Sequence, residues 1–213
     1  MGCGSSVEFV VNPVIRGQTI SVLETTDKLM LYKYQVDKLF SVFRHLDLDG
    51  GGEVSLNEFC ANMEIEPTKF TDLVFKLIDK SGNRCFDFEE FVVFCYYYLT
   101  LDLADLNAFT FDMFDVNANG SLDRDEVNMM ARVLWGADRF STNQIGKILE
   151  NMEYNVEGDI SKTSFLRFIK KFPLILQPAF TIQRNLKGKI LGARFWDVVS
   201  KQRVEDHGKY NNI

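Results

Sequence analysis

Oxygen-bearing side chains recur at fixed intervals in four twelve-residue segments of the chain, at 47–58, 79–90, 115–126 and 153–164. The third reads Asp115-Val-Asn-Ala-Asn-Gly-Ser-Leu-Asp-Arg-Asp-Glu126, with carboxylates or amides at positions 1, 3, 5, 9 and 12. A hard cation such as Ca²⁺ requires roughly six to eight oxygen ligands around one point. This spacing supplies them, and the glycine at position 6 permits the sharp turn that brings them together.

The four segments resemble the EF-hand, a calcium-binding loop between two helices. The third segment matches the whole pattern D-x-[DN]-x-[DN]-G-x₅-E. Segment starts lie 32, 36 and 38 residues apart, which fits one helix–loop–helix unit each. The resemblance, to calmodulin, calcineurin B and neuronal calcium sensors, implies an all-α fold. It comprises four EF-hand units in two paired lobes, short β-bridges between loops and a C-terminal helical extension.

An apolar residue occupies position 8 of every segment, namely Val54, Phe86, Leu122 and Ile160. In EF-hands this residue pairs with its counterpart through a short β-bridge, so the first loop should couple with the second and the third with the fourth. Apolar residues at helical spacing flank the loops and predict helices on both sides. We expect these stripes to form the core, with a groove that opens to a partner as the alternative.

The resemblance implies metal ligands in three loops, with a backbone carbonyl supplied at position 7. It predicts two to three Ca²⁺ sites at which Mg²⁺ competes. The implied ligands are Asp47, Asp49, Glu53, Ser55 and Glu58; Asp79, Ser81, Asn83, Cys85, Asp87 and Glu90; and Asp115, Asn117, Asn119, Ser121, Asp123 and Glu126.

The other loops depart from the pattern of the third loop. Gly51 gives the first loop no side-chain oxygen at position 5, so water should complete a weaker site. Arg84 replaces the turn glycine of the second loop, which costs roughly 1 kcal/mol or more for a positive φ and places a cation near a cation site. Glu153 and Ser164 replace the anchoring Asp and Glu of the fourth loop, so we expect that loop to be structural.

The N-terminus, Met1-Gly2-Cys3-Gly4-Ser5-Ser6, fits the N-myristoylation pattern, with Gly2 as the acceptor. One myristoyl chain binds membranes only marginally, at about 10⁴ M⁻¹. Palmitate on Cys3 would supply a second anchor, as in the doubly acylated EF-hand proteins of protist flagella. The alternative is an unmodified start.

The C-terminal stretch 173–213 mixes aromatic and aliphatic residues with basic ones. Such a basic amphipathic segment is typical of membrane surfaces and of EF-hand targets. Pro173 and Pro178 are expected to break any helix there. Two interpretations stay open: the segment packs on its own body, or Phe195 and Trp196 fill the groove between the lobes as an internal ligand.

Charge and composition exclude several functions. The net charge is −6, although residues 162–203 carry ten basic residues and one acidic residue. An acidic body is a poor nucleic-acid platform, so no nucleic-acid partner is predicted. The four cysteines are irregularly spaced, which argues against a disulfide framework and a zinc site. The longest apolar run, 91–101, is too short to span a bilayer, and no signal peptide is evident.

No P-loop, GxSxG, HExxH or kinase motif occurs, so no enzyme is predicted. We expect an acylated N-terminal arm at 1–23, lobes at 24–101 and 102–172, and the extension at 173–213. The leading hypothesis is a membrane-tethered calcium sensor that exposes apolar surface to a protein target, an amphipathic helix. It would act in the cytoplasm, on the inner face of the plasma or flagellar membrane. The alternatives are a calcineurin B-like subunit of a larger enzyme and a calcium buffer.

Overall fold

Helices make up most of the computed structural model, which describes residues 19–76, 79, 82–135 and 150–207. The predicted all-α fold with short β-bridges is confirmed. The helices are α1 (Thr19–Lys28), α2 (Lys33–Leu46), α3 (Leu56–Asn62), α4 (Lys69–Lys76), α5 (Phe88–Thr100), α6 (Leu103–Phe114), α7 (Arg124–Trp135), α8 (Lys162–Lys171), α9 (Gln177–Lys189) and α10 (Ala193–His207), with a 3₁₀ turn at Pro173–Leu176. The strands are β1 (Val54–Ser55), β2 (Cys85–Phe86), β3 (Ser121–Leu122) and β4 (Ile160–Ser161).

Two antiparallel bridges couple the loops in the predicted pairs. Val54 lies opposite Phe86, and Leu122 lies opposite Ile160. All four side chains are buried, so each bridge also contributes two residues to the hydrophobic core. We call the helices and loops joined by β1 and β2 the first lobe, and those joined by β3 and β4 the second lobe.

The helices that follow the first and second loops are capped by residues that are also predicted metal ligands. Ser55 accepts a hydrogen bond from the Glu58 backbone N–H, and the Glu58 carboxylate accepts one from the Ser55 N–H at 2.9 Å. Asp87 and Glu90 form the same reciprocal cap at the start of α5. Both caps satisfy N–H groups that a helix N-terminus leaves unpaired. Positions 9 and 12 of the loop therefore fix where the next helix begins.

Aromatic rings fill the core of the first lobe. Phe75 and Phe86 stack with 3.5 Å between ring centroids, and Phe59 meets Phe94 edge to face at 5.4 Å. Such buried aromatic pairs bury large apolar areas and favour these offset or edge-on arrangements.

Helix α5 carries the long apolar run and is covered along its length. It packs against α1, α2, α9 and α10, which explains why a helix with almost no polar face lies inside a globular body. Among the helices that the structure describes, none is long and apolar enough to cross a membrane.

The C-terminal helices are part of the core, in agreement with the interpretation that this segment packs on its own body. The Tyr98 hydroxyl donates to the Ala179 carbonyl at 3.1 Å, and the Gln183 side chain donates to the carbonyls of Tyr98 and Leu101 at 2.8 and 3.0 Å. The two bonds from Gln183 satisfy carbonyl groups at the C-terminal end of α5, which a helix leaves unpaired.

The expectation that prolines break any helix in this stretch is wrong for Pro178. This residue lies in the first turn of α9, where a backbone N–H would have no partner within the helix, so proline costs no hydrogen bond there. Pro173 begins the 3₁₀ turn that separates α8 from α9.

Candidate metal-binding loops

Asp115 organises the third loop through its carboxylate. Its Oδ2 atom accepts the Gly120 backbone N–H at 2.9 Å, and its Oδ1 atom accepts the Asn119 N–H at 3.1 Å. Gly120 has a φ of +82°, which a glycine adopts without strain. The Asn117 side-chain oxygen also accepts the Asn119 N–H, at 3.0 Å. The backbone is thus wrapped around the first three predicted side-chain ligands.

Glu126 closes the third loop from the far end. Its Oε1 atom accepts the Val116 N–H at 2.9 Å, although ten residues separate the two, and its Oε2 atom accepts the Asp123 N–H at 2.9 Å. The side chain is buried over the loop. The geometry brings both ends of the predicted ligand set to the same side of the loop.

The first loop contains a carboxylate oxygen with no hydrogen-bond donor. Asp47 Oδ2 accepts the Gly52 N–H at 3.0 Å, whereas the buried Oδ1 atom has no hydrogen-bond partner among the described residues. A buried carboxylate oxygen without a donor is costly unless a cation satisfies it. This Asp47 oxygen therefore fits a divalent cation, and Asp49 and Glu58, which accept backbone hydrogen bonds within the loop, would have to turn toward the ion to complete its ligands.

Arg84 adopts the backbone conformation of the glycine that it replaces in the second loop. Its φ is +64°, and its N–H reaches Asp79 Oδ2 at 2.8 Å, as the corresponding glycines do in the first and third loops. Its guanidinium pairs with Asp72 of α4 at 3.0 Å. The expected conflict between this cation and a bound cation is reduced only in part, because the Asp72 carboxylate that holds the guanidinium against α4 also pairs with Lys76 at 3.1 Å.

The first and second loops face each other across β1 and β2. The Asn83 amide donates to Glu53 at 3.2 Å. The pKa of the Cys85 thiol is raised, first by burial and then by the negative charges of Glu53, Glu58 and Asp79, among others. The paired loops thus form a region of concentrated negative charge, which favours divalent cations.

In the fourth loop, Glu153 is engaged in an ion pair with Arg167 of α8. Ser164, where a bidentate glutamate would stand, bonds with Ser161 instead. The loop still pairs with the third through β4, as a structural partner would.

Three predicted site residues, Gly2, Cys3 and Ser81, lie outside the described residues. Within the described ranges, no group of three or more His, Cys, Asp or Glu side chains gathers at metal-binding distance. In each loop the carboxylates instead accept hydrogen bonds from the loop backbone. The predicted donor sets also rely on amide, hydroxyl and backbone carbonyl oxygens.

Helix α9 fills the groove of the first lobe. Ile182 and Leu186 line a remaining cavity of only about 20 Å³ together with residues of the first lobe, including Phe59 and Phe75. At the end of α9, Lys189 pairs with Glu64 of the first lobe at 2.7 Å, which lowers the pKa of that carboxyl.

The hypothesis that Phe195 and Trp196 fill the groove between the lobes stays a prediction, whereas the side chains of the C-terminal segment that line the groove of the first lobe are Ile182 and Leu186 of α9. Trp196 is buried and donates its indole N–H to the Ile190 carbonyl, and Phe195 lies against Trp196 and Lys38. The i, i+4 spacing of Ile182 and Leu186 was the sequence signal for the groove-facing side of α9. It does not indicate which lobe α9 would meet.

No protein-family model matches the chain. It is 26% identical over 139 residues to calcineurin B of Naegleria gruberi, a match that covers 64% of this chain and 77% of that protein. It is 23% identical over 143 residues to calcium-binding protein CML19 of Arabidopsis thaliana, covering 64% and 82%. A third relative is calcium-dependent protein kinase 21 of Oryza sativa subsp. japonica, at 25% identity over 142 residues. There the match covers 64% of this chain but only 24% of the kinase.

Proposed function

We propose that the chain is an EF-hand calcium sensor that regulates a protein target, a proposal that its similarity to calcineurin B and CML19 supports. Calcium bound in the loops would supply the charge that draws the loop oxygens together.

The observation that carries the proposal is the position of Glu126. A carboxylate that already reaches across the loop to the Val116 N–H, beside Asp115, needs little reorganisation to serve as a ligand. The donor-free Asp47 Oδ1 atom supports a second site in the first lobe.

The loops of the first lobe are directly connected to the walls of its groove. Phe59 follows Glu58, the last residue of the first loop, and Phe75 accepts through its carbonyl the N–H of Asp79, the first residue of the second loop, at 3.0 Å. Both rings line the cavity beside α9. A movement of Glu58 toward a cation would therefore move a groove wall, as calcium does in sensor EF-hands.

Helix α9 is the segment that such a movement would release. Its contact with the first lobe combines the apolar side chains of Ile182 and Leu186 with the exposed Lys189–Glu64 ion pair. We infer that a target helix of similar pattern, with aliphatic residues four apart and a following lysine, competes with α9 for this groove.

Calcium-dependent retention on a phenyl matrix tests the sensor role. We expect wild type to be retained in calcium and released by chelator, and the Glu58→Gln/Glu90→Gln/Glu126→Gln variant not to be retained in either. Leu186→Ser should raise retention without calcium because it weakens the apolar packing of α9 in the groove of the first lobe. Val198→Ser, an exposed position on α10, is the matched control. Equal behaviour of wild type with and without calcium would indicate a buffer.

A second candidate function is that of a regulatory subunit held permanently by a larger enzyme. The similarity to calcineurin B over 77% of that protein favours it. Size-exclusion chromatography of the purified chain distinguishes the two functions. A soluble monomer in both calcium and chelator supports the sensor, whereas aggregation that only a co-purified partner prevents supports the permanent regulatory role.

We further propose that Gly2 is myristoylated and Cys3 palmitoylated, which would hold the protein on the cytoplasmic face of a membrane. The support is the N-terminal sequence pattern alone. Metabolic labelling with fatty-acid analogues tests it: Gly2→Ala should abolish both labels, and Cys3→Ser should abolish only palmitate. Membrane fractionation of the same variants would then locate the protein.

A further inference from the structure

We propose that the turn at 170–175, between α8 and α9, is a contact surface for anionic lipid membranes. Lys170, Lys171, Phe172, Pro173 and Leu174 are all exposed in succession. Phe172 is 43% exposed and Leu174 78% exposed. Single exposed apolar residues are ordinary on a protein surface, but consecutive ones beside two lysines are not explained by folding.

The apolar residues of the turn border a cavity of about 500 Å³. Its lining is apolar except for Asn151 and Lys171, and it includes Phe168 and Ile175. In the first lobe, α9 leaves a cavity of only about 20 Å³. The turn therefore offers both protruding apolar side chains and an apolar depression that opens next to them.

Charge complementarity selects an anionic partner. The structure gives Lys170 and Lys171 no ion pair within the ranges it describes, whereas Lys162, Lys189 and Arg167 on neighbouring segments are paired with carboxylates. The two lysines are directly followed by Phe172. A cation beside an apolar side chain matches the boundary between phospholipid headgroups and acyl chains.

The small extent of the surface favours a membrane over a folded protein. A stable protein interface buries about 800 Å² on each partner, whereas this patch is one short turn with a few protruding side chains. Shallow insertion needs only such side chains together with nearby positive charge. The contact is separate from acylation of Gly2 and Cys3, and it would add to the membrane affinity that the acyl chains supply.

The test uses the full, unacylated chain from a bacterial host and sedimentation with lipid vesicles. We expect binding to vesicles of phosphatidylcholine mixed with phosphatidylserine, little binding to phosphatidylcholine alone, and weakening by added salt. Lys170→Gln and Lys171→Gln should each lower the partition coefficient roughly fivefold, the equivalent of about 1 kcal/mol per lysine. Phe172→Ser/Leu174→Ser should abolish detectable binding.

Two further variants keep the test decisive. Because the Phe172 ring lies 5.1 Å from Phe168, Leu174→Ser alone serves as the variant least able to disturb packing. Val198→Ser on α10 is the control for loss of an exposed apolar side chain, and it should bind as wild type does.

Absence of binding to the anionic vesicles, or equal binding by wild type and Leu174→Ser, would overturn the proposal. Binding of an acidic protein segment without binding of vesicles would overturn it as well. Retention on the phenyl matrix in calcium reports on the sensor function separately. A failure of the membrane contact is therefore distinguishable from a failure of the proposed function.

Discussion

Arg203 of α10 and Asp105 of α6 form an ion pair that is shielded from water, with 2.7 Å between Nη2 and Oδ2. The Arg203 side chain is 0% exposed, and its Nε and Nη1 atoms have no hydrogen-bond partner among the described residues. The pair joins the last described helix to the first helix of the second lobe. A buried pair of this kind is costly to form but far more costly to break from one side.

Asp105→Asn should lower the free energy of unfolding by about 3–5 kcal/mol, because it leaves the guanidinium charge buried without a counter-charge. Adding Arg203→Met should recover much of that loss. The control is Asp37→Asn, which removes an exposed pair with Lys33 and should cost less than about 1 kcal/mol. Urea unfolding measures all variants, and an equal effect of Asp105→Asn and Asp37→Asn would contradict the prediction.

Substitutions at position 6 of the second and third loops should change the free energy of unfolding in opposite directions. Gly120→Ala should lower the free energy of unfolding by roughly 1–2 kcal/mol. The φ of Gly120 is +82°, which strains an alanine, whereas a Cβ atom there has no neighbour within 4 Å, so the cost comes from the backbone alone. Arg84→Gly should stabilise by about 1 kcal/mol, since it relieves a φ of +64° and loses only an exposed ion pair. Unfolding in chelator measures both changes, and a destabilised Arg84→Gly would show that the Asp72 contact outweighs the backbone strain.

The buried side chain of Gln183 should contribute to the free energy of unfolding through its two hydrogen bonds to the end of α5. Gln183→Leu removes the donor shared by the Tyr98 and Leu101 carbonyls and should cost about 1–3 kcal/mol. Gln177→Leu, at an exposed site on the same helix, should change stability by less than about 0.5 kcal/mol. Thermal unfolding of the two variants provides the comparison, and equal shifts would argue against this capping role.

Stability should fall at alkaline pH because of the Cys95 thiol. Burial raises its pKa well above the ordinary value of 9.0, so the thiol stays protonated in the folded protein while it ionises in the unfolded chain. Stability from this group is complete below pH 9.0 and is lost as pH rises toward the folded pKa. Above pH 9.0, wild type should lose about 1.4 kcal/mol per pH unit more than Cys95→Val does. Parallel pH profiles in reductant would contradict this.

The loops and their pairing could be predicted because they depend on local chemistry. Ligand spacing sets the turn geometry, and an apolar residue at position 8, such as Val54 or Phe86, has only one neighbouring loop strand with which to pair. The same reasoning identified Arg84 as a residue with positive φ. It did not identify Asp72 as the partner of the guanidinium, because that contact depends on how α4 is placed.

The position of the C-terminal helices could not be predicted from spacing alone. A basic amphipathic pattern indicates a helix with one apolar side, and the patterns of Ile182 and Phe195 look equally suited to a groove. Which of them lines the groove of the first lobe depends on the turn at Pro173–Leu176 and on the bond from Gln183 to the end of α5. Burial of Arg203 was not predicted either, because it too depends on where α10 lies. From the sequence alone, an arginine in a basic stretch is expected on a solvated surface.

The most direct test of the account is a calorimetric calcium titration of wild type beside Glu126→Gln. Wild type should bind two to three calcium ions, and Glu126→Gln should lose the tightest of them while it keeps the fold, as circular dichroism would verify. Glu153→Gln in the fourth loop is the matched control and should titrate as wild type does. An unchanged stoichiometry and affinity in Glu126→Gln would contradict the assignment of the third loop as the principal calcium site.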